Sequence, residues 1–249
     1  MIKKGDTLIE VTLAVGIFSM VAITIVSVMA SGTTGAQTAL ETTLAREEID
    51  AQAEAIRFIQ SAYIADKGSE DNRFQTLWQS IVKNAVNVNS TDDELLRYSP
   101  QTCNALYADG GEVKKYNAFV INNNQLGTFT KDTVNRAFIS VLDKPNSFVQ
   151  ATTYPRLVYN NSDSALDSET SSDNVFYQAE GLYVVAVKES SKEDGYNPTT
   201  VVDNGGIVNR PVFYDFYIRS CWYGANANEP STISTVIRLY DPDAVITSN

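Results

Sequence analysis

Hydrophobic and polar positions divide this chain into three textures. Residues 11–40 contain no Asp, Glu, Lys or Arg, and residues 11–29 are mostly Val, Leu, Ile, Phe, Met and Ala with a few Ser and Thr. As a helix, that run spans about 28 Å, close to the roughly 30 Å hydrocarbon core of a bilayer. Farther on, Leu40, Leu44, Ile49, Ala53, Ile56, Ile59 and Tyr63 recur at helical intervals, with Glu41, Glu47, Glu48, Asp50, Glu54 and Arg57 between them. This spacing predicts one helix over residues 7–65, lipid-compatible in its first half and amphipathic in its second. Gly32-Thr33-Thr34-Gly35 lies at the junction and is the expected bend or melting point, since glycine costs roughly 1 kcal/mol against alanine in a helix. Lys67-Gly68 fits its end.

Phe74, Leu77, Trp78, Ile81, Val82 and Ala85 predict a second helix over residues 72–86, capped by Asp71 or Asn72. From residue 98 the texture turns to β. Residues 118–121, 182–187, 212–218 and 235–240 are rich in β-branched and aromatic side chains. Asp109-Gly110-Gly111, Asn122-Asn123-Asn124 and Asn204-Gly205-Gly206 punctuate them. The expectation is an α+β fold. The long N-terminal helix packs on an antiparallel sheet that has one face on the helix and one face wet. Residues 160–174 are polar and read as a surface loop.

Composition narrows the chemistry. Hydrophobic residues make up 43% of the chain, a globular value. The net charge of −11 argues against general nucleic-acid binding, because an acidic surface repels phosphates. There is no histidine, which removes Ser-His-Asp and Cys-His nucleophile systems and imidazole metal sites. Walker, GxGxxG and GxSxG motifs are missing too. Asp163, Asp167, Glu169 and Asp173 lack the spacing of a calcium loop and read as solvated acids, and Tyr240-Asp241-Pro242-Asp243 reads as a turn. No catalytic residue, metal ligand or cofactor is expected. The two cysteines, Cys103 and Cys221, are too few for a zinc site. Outside the cytoplasm they are expected to form a disulfide; two buried free thiols are the alternative.

The N-terminus reads Met1-Ile2-Lys3-Lys4-Gly5-Asp6-Thr7-Leu8-Ile9-Glu10. Lys3 and Lys4 should stay cytoplasmic, which places the C-terminal head outside. Ala30-Ser31-Gly32 offers an ordinary signal-peptide cleavage site as a second reading. Glu10 is the informative residue. A carboxylate at the edge of an apolar helix is costly in lipid and needs a cationic or hydrogen-bonding partner. Cleavage after Gly5 would create one, the free amine of Asp6.

Gly5-Asp6-Thr7-Leu8-Ile9-Glu10-Val11-Thr12-Leu13 resembles the class III signal of type IV pilins and pseudopilins, over about the first thirty residues. The family usually carries Phe where this chain has Asp6. The resemblance implies cleavage by a prepilin peptidase after Gly5 and N-methylation at Asp6. It also makes Glu10 the fifth mature residue, which neutralises a neighbouring subunit's N-terminus during assembly. The chain then divides into a leader (residues 1–5), a transmembrane and filament-core helix (6–30), an amphipathic half (31–66) and an α+β head (67–249). The implied partners are the peptidase, other pilin subunits, membrane lipid before assembly and an unidentified ligand of the head. The implied function is that of a filament subunit, a minor pilin by the size of its head, serving attachment, motility or DNA uptake. A pseudopilin of a secretion machine and a singly anchored β-rich binding or enzymatic domain are the alternatives.

Overall fold

Helix α1 runs from Asp6 to Ala65 in the computed structural model, which describes residues 6–67, 71–87, 103–141, 147–160, 176–188, 200–203, 206–209, 213–224 and 227–242. The chain forms two compact units, Met1–Thr43 and Leu44–Asn249. The first unit is the apolar part of α1. Its large side chains are open to the surroundings, among them Leu8, Phe18, Met20 and Ile23. Its hydroxyls turn inward on the helix instead. Ser19 donates to the Val15 carbonyl, Thr24 to Met20, Thr33 to Met29 and Thr34 to Ala30, each four residues back and within 3.0 Å. This pairing suits a segment in lipid, where no water is present to take the hydroxyl proton.

The helix is continuous through Gly32-Thr33-Thr34-Gly35, without the melting that the sequence allowed there. Two glycine penalties are small beside the hydrogen bonds of the turns on either side, and Thr33 and Thr34 add their own bonds to the ladder. Burial on α1 begins at Glu41, and its apolar stripe begins later than the spacing suggests. Leu40 is 60% exposed, whereas Ala45, Ile49, Ala53, Ile56, Ile59 and Tyr63 are buried. Leu40 lies five residues before Ala45, about 140° around the helix from it.

In the second unit, α2 spans Arg73–Lys83 and β1 Val86–Asn87. Helix α2 is shorter than predicted because residues 86–87 are drawn into a sheet. Two short helices follow, α3 (Cys103–Tyr107) and α4 (Glu112–Lys115). After them come β2 (Phe119–Ile121), α5 (Val134–Ala137) and β3 (Phe138–Ser140). Strands β4 (Phe148–Val149), β5 (Arg156–Asn160), β6 (Phe176–Glu180) and β7 (Leu182–Lys188) come next. The hairpin β8 (Thr200–Asp203) and β9 (Gly206–Asn209) precedes β10 (Phe213–Trp222) and β11 (Ser231–Tyr240).

The main sheet has the order β11-β10-β7-β2-β3 and is antiparallel along that path; β1 joins β7 in parallel. Together with α1 this is the expected α+β layout, and residues 49–63 of α1 contribute to one hydrophobic core with α2 and the sheet. Strands β4, β6 and β5 form a second small sheet, and β8–β9 a third. The predicted strands at 118–121, 182–187 and 235–240 appear as β2, β7 and β11, and 213–218 opens β10. The loop predicted at 160–174 and the Asn204-Gly205 turn lie outside the described residues, apart from Asn160 at the end of β5.

The expectation of one wet sheet face holds only at the edge. Six of the seven β7 residues are buried, on both faces. Trp78 of α2 packs against Tyr214 and Phe216, which lie on one face of β10. On the other face, Tyr107 of α3 meets Tyr183 edge-on at 6.0 Å, and α4 reaches Arg219 through Glu112. The segment holding α3 and α4 therefore covers the face expected to be wet. The Cys103–Cys221 disulfide ties it to β10, with Cα atoms 5.7 Å apart.

Two contacts fix the geometry of this unit. Gln52 of α1 is fully buried; its Nε2 donates to the Ile121 carbonyl (2.8 Å) and its Oε1 accepts from the Ile121 amide (2.7 Å). Strand β2 meets β7 only at Phe119, so without Gln52 those two backbone groups would be buried without partners. Gly181, between β6 and β7, has φ +65°. A Cβ there would come within 2.5 Å of the Cys221 carbonyl oxygen and 2.7 Å of the Ala151 Cβ, so only glycine fits.

Candidate assembly and anchoring segment

Helix α1 starts at Asp6, one turn before Glu10. Gly5 lies outside the described residues, and Asp6 is described in its backbone only. Glu10 is exposed and stands among Leu8, Ile9, Val11 and Leu13, which are 61–69% exposed. It has no ion-pair partner among the described residues. An ionised carboxylate set in an apolar surface tolerates water, but in lipid or between packed helices it needs a cation or several donors. The next charged residue along the chain is Glu41, so no side-chain cation of this stretch can serve. The helix is long and apolar enough to cross a membrane. One apolar N-terminal helix of this kind is compatible with a single-pass membrane anchor.

The other predicted site residues, Cys103 and Cys221, meet far from this segment in sequence and are bonded to each other, so free thiols are excluded. The sulfurs are buried with Leu106, which shields them from exchange. Beside them lies a polar cluster that the sequence reading missed. Arg219 of β10, only 3% exposed, pairs with Glu112 of α4. Burial pushes the Glu112 carboxyl up from its ordinary range, against the downward pull of Arg219, the Tyr183 hydroxyl and Lys115. Burial likewise pushes the Tyr107 phenol well above its usual value, with Tyr183 and Glu112 adding to the rise. No sequence spacing signals this cluster, because its central pair, Glu112 and Arg219, lies 107 residues apart in the chain. An acid held by Arg219 and the Tyr183 hydroxyl offers no activated nucleophile, and its chemistry is that of a buried structural pair.

On the surface, Lys114 bonds Asp109 and holds that carboxyl below its usual range. Among the described residues, no group of three or more Cys, Asp or Glu is placed to hold a metal ion. The acids weighed for calcium, Asp163, Asp167, Glu169 and Asp173, lie outside those residues. Comparison of the chain with protein-family models, with curated proteins and with solved structures yields no match.

Proposed function

We propose that this chain is a pilin-like filament subunit, a minor one, inserted in the membrane through α1, processed after Gly5 by a prepilin peptidase and assembled through the same helix. The observation that carries the reading is the combination at its N-terminus. A basic leader ends in Gly5, Asp6 follows it, a second acid stands at Glu10 on the edge of the apolar run, and an uncharged helix follows whose side chains are exposed along its length. A helix of this kind is stable in lipid and, once extracted, must bury its apolar surface against similar helices.

Glu10 supplies the register. Between packed helices its charge is costly unless it meets an opposite one, and the amine released on Asp6 of a neighbouring subunit is the cation within reach of that stretch. The gain is in specificity of alignment more than in net stability. The head, outside the membrane, then carries attachment, motility or uptake functions through a ligand of its own, and no cofactor or catalytic group is required.

The test is made in a host that carries a prepilin peptidase. N-terminal sequencing should find a mature start at Asp6, lost in Gly5→Leu. Glu10→Ala should insert in the membrane as before and fail to enter filaments. An intact Met1, or a new terminus near Gly32, would overturn the reading in favour of a simply anchored or secreted head. Normal filament entry by Glu10→Ala would sink the register mechanism.

A further inference from the structure

Strand β11 is the outermost strand of the main sheet, paired on one side by β10 and on the other by no strand among the described residues. Its ladder with β10 is unbroken over ten residues, with no bulge and no proline. Such an edge presents a row of backbone donors and acceptors, and natural sheets commonly guard it with charge, proline or a twist. Here the guards are weak. The sequence STISTVIRLY has no acid in a chain of net charge −11, and one base. That base, Arg238, is turned onto its own sheet, where its Nε and Nη2 each donate to Asp215 at 2.7 Å and its guanidinium stacks 3.9 Å over the Phe213 ring. Val236, in the middle of the strand, is 50% exposed. By contrast β3, at the opposite edge, has three residues, all buried. At the far end of β11, Gln60 of α1 donates to the Tyr240 carbonyl and closes the open stretch.

From this edge we infer that β11 pairs antiparallel with β11 of a second copy of the chain, about a two-fold axis at Val236. The backbone asks for an extended strand, and the side chains are self-complementary in this register. Alternation keeps Ser234, Val236 and Arg238 on one face and Ile233, Thr235, Ile237 and Leu239 on the other. With Val236 on the axis, Val236 meets Val236 and each copy's Arg238 stands opposite the other's uncharged Ser234. On the inner face Ile233 meets Leu239, and Thr235 meets Ile237. No like charges oppose each other, and apolar and β-branched residues meet their own kind. Two strongly acidic molecules approach most easily along an element that carries no acid. Axes at Arg238 or Ser234 are poorer: the first opposes two arginines, and the second shortens the overlap. The pairing does not depend on the filament reading.

A single cysteine at the axis tests it. Val236→Cys in the full chain, in membranes under mild oxidation, should give a disulfide-linked dimer that disappears on reduction. Thr232→Cys, on the same face of the strand, would lie about 27 Å from its own copy and should stay monomeric. The same Val236→Cys dimer should form in a Glu10→Ala background, where filament entry is blocked. Val236 is half exposed, so the substitution leaves the core intact, which retention of the Cys103–Cys221 bond would verify. No dimer from Val236→Cys would overturn the pairing, as would equal dimer from Thr232→Cys. A dimer lost with Glu10→Ala would also overturn it, by assigning the contact to the filament.

Discussion

Gln52 is a polar residue in the middle of an apolar stripe, and its place there follows from a gap in the sheet. Both ends of its amide serve the backbone of Ile121, where β2 has run past its only pairing with β7. Gln52→Leu would keep the volume and leave a buried N–H and a buried carbonyl without partners. At about 1–3 kcal/mol for each group, we expect a loss of about 2–5 kcal/mol in denaturant unfolding of the detergent-solubilised protein. A loss below about 0.5 kcal/mol would mean that water or a shifted strand takes over both bonds. Glu48, four residues earlier, bears on pH. Partial burial raises its carboxyl above the usual glutamate range, and Glu47 adds to the rise. The folded state then holds its proton more tightly than the unfolded state does. This contribution to stability is present at low pH and is lost as pH rises from the ordinary glutamate value through the raised one. Thermal unfolding of Glu48→Gln should therefore match wild type in acid and exceed it near neutrality. Parallel pH curves would show that Glu48 behaves as an ordinary solvated acid.

At the scale of elements, the α3–α4 segment depends on its ties. These helices have five and four residues, too short to be stable alone. The disulfide, the Glu112–Arg219 pair and the Tyr107–Tyr183 contact hold them on the sheet. The bond joins residues 118 apart, a loop long enough for a chain-entropy contribution of about 3–5 kcal/mol. Replacing both cysteines by serine should lower stability by about that amount and first expose the Tyr183 face of β7, read as faster amide exchange at residues 182–187. Unchanged exchange there would place the tie elsewhere. These short elements were illegible in the sequence, as were β4, β5 and β6. Each is too short to show a period of its own, and each exists because a neighbour satisfies its backbone. The longer elements were legible: α1, α2, β7, β10 and β11 each repeat their pattern often enough to declare it.

For the whole molecule, the sequence by itself determined the division of labour. A segment with no charge over thirty positions, apolar in its first two thirds, is suited to an apolar environment, and a remainder with charge at regular intervals is suited to water, whatever the fold. Sequence also determined the α+β class, through the change of period from helical to alternating, and the placing of an acid, Glu10, at the edge of an apolar run. Tertiary structure alone decided the rest. It brought Cys103 to Cys221 and Glu112 to Arg219, and it covered the sheet face that alternation suggested would be wet. It kept α1 helical through Gly32 and Gly35, and among the described residues it left β11 as the long edge strand of the main sheet. The reason is one of range. Period, charge and turn chemistry act between neighbours in the chain and can be read from it. Pairing, coverage and burial depend on which distant groups satisfy one another, and that is settled only when the chain has closed on itself.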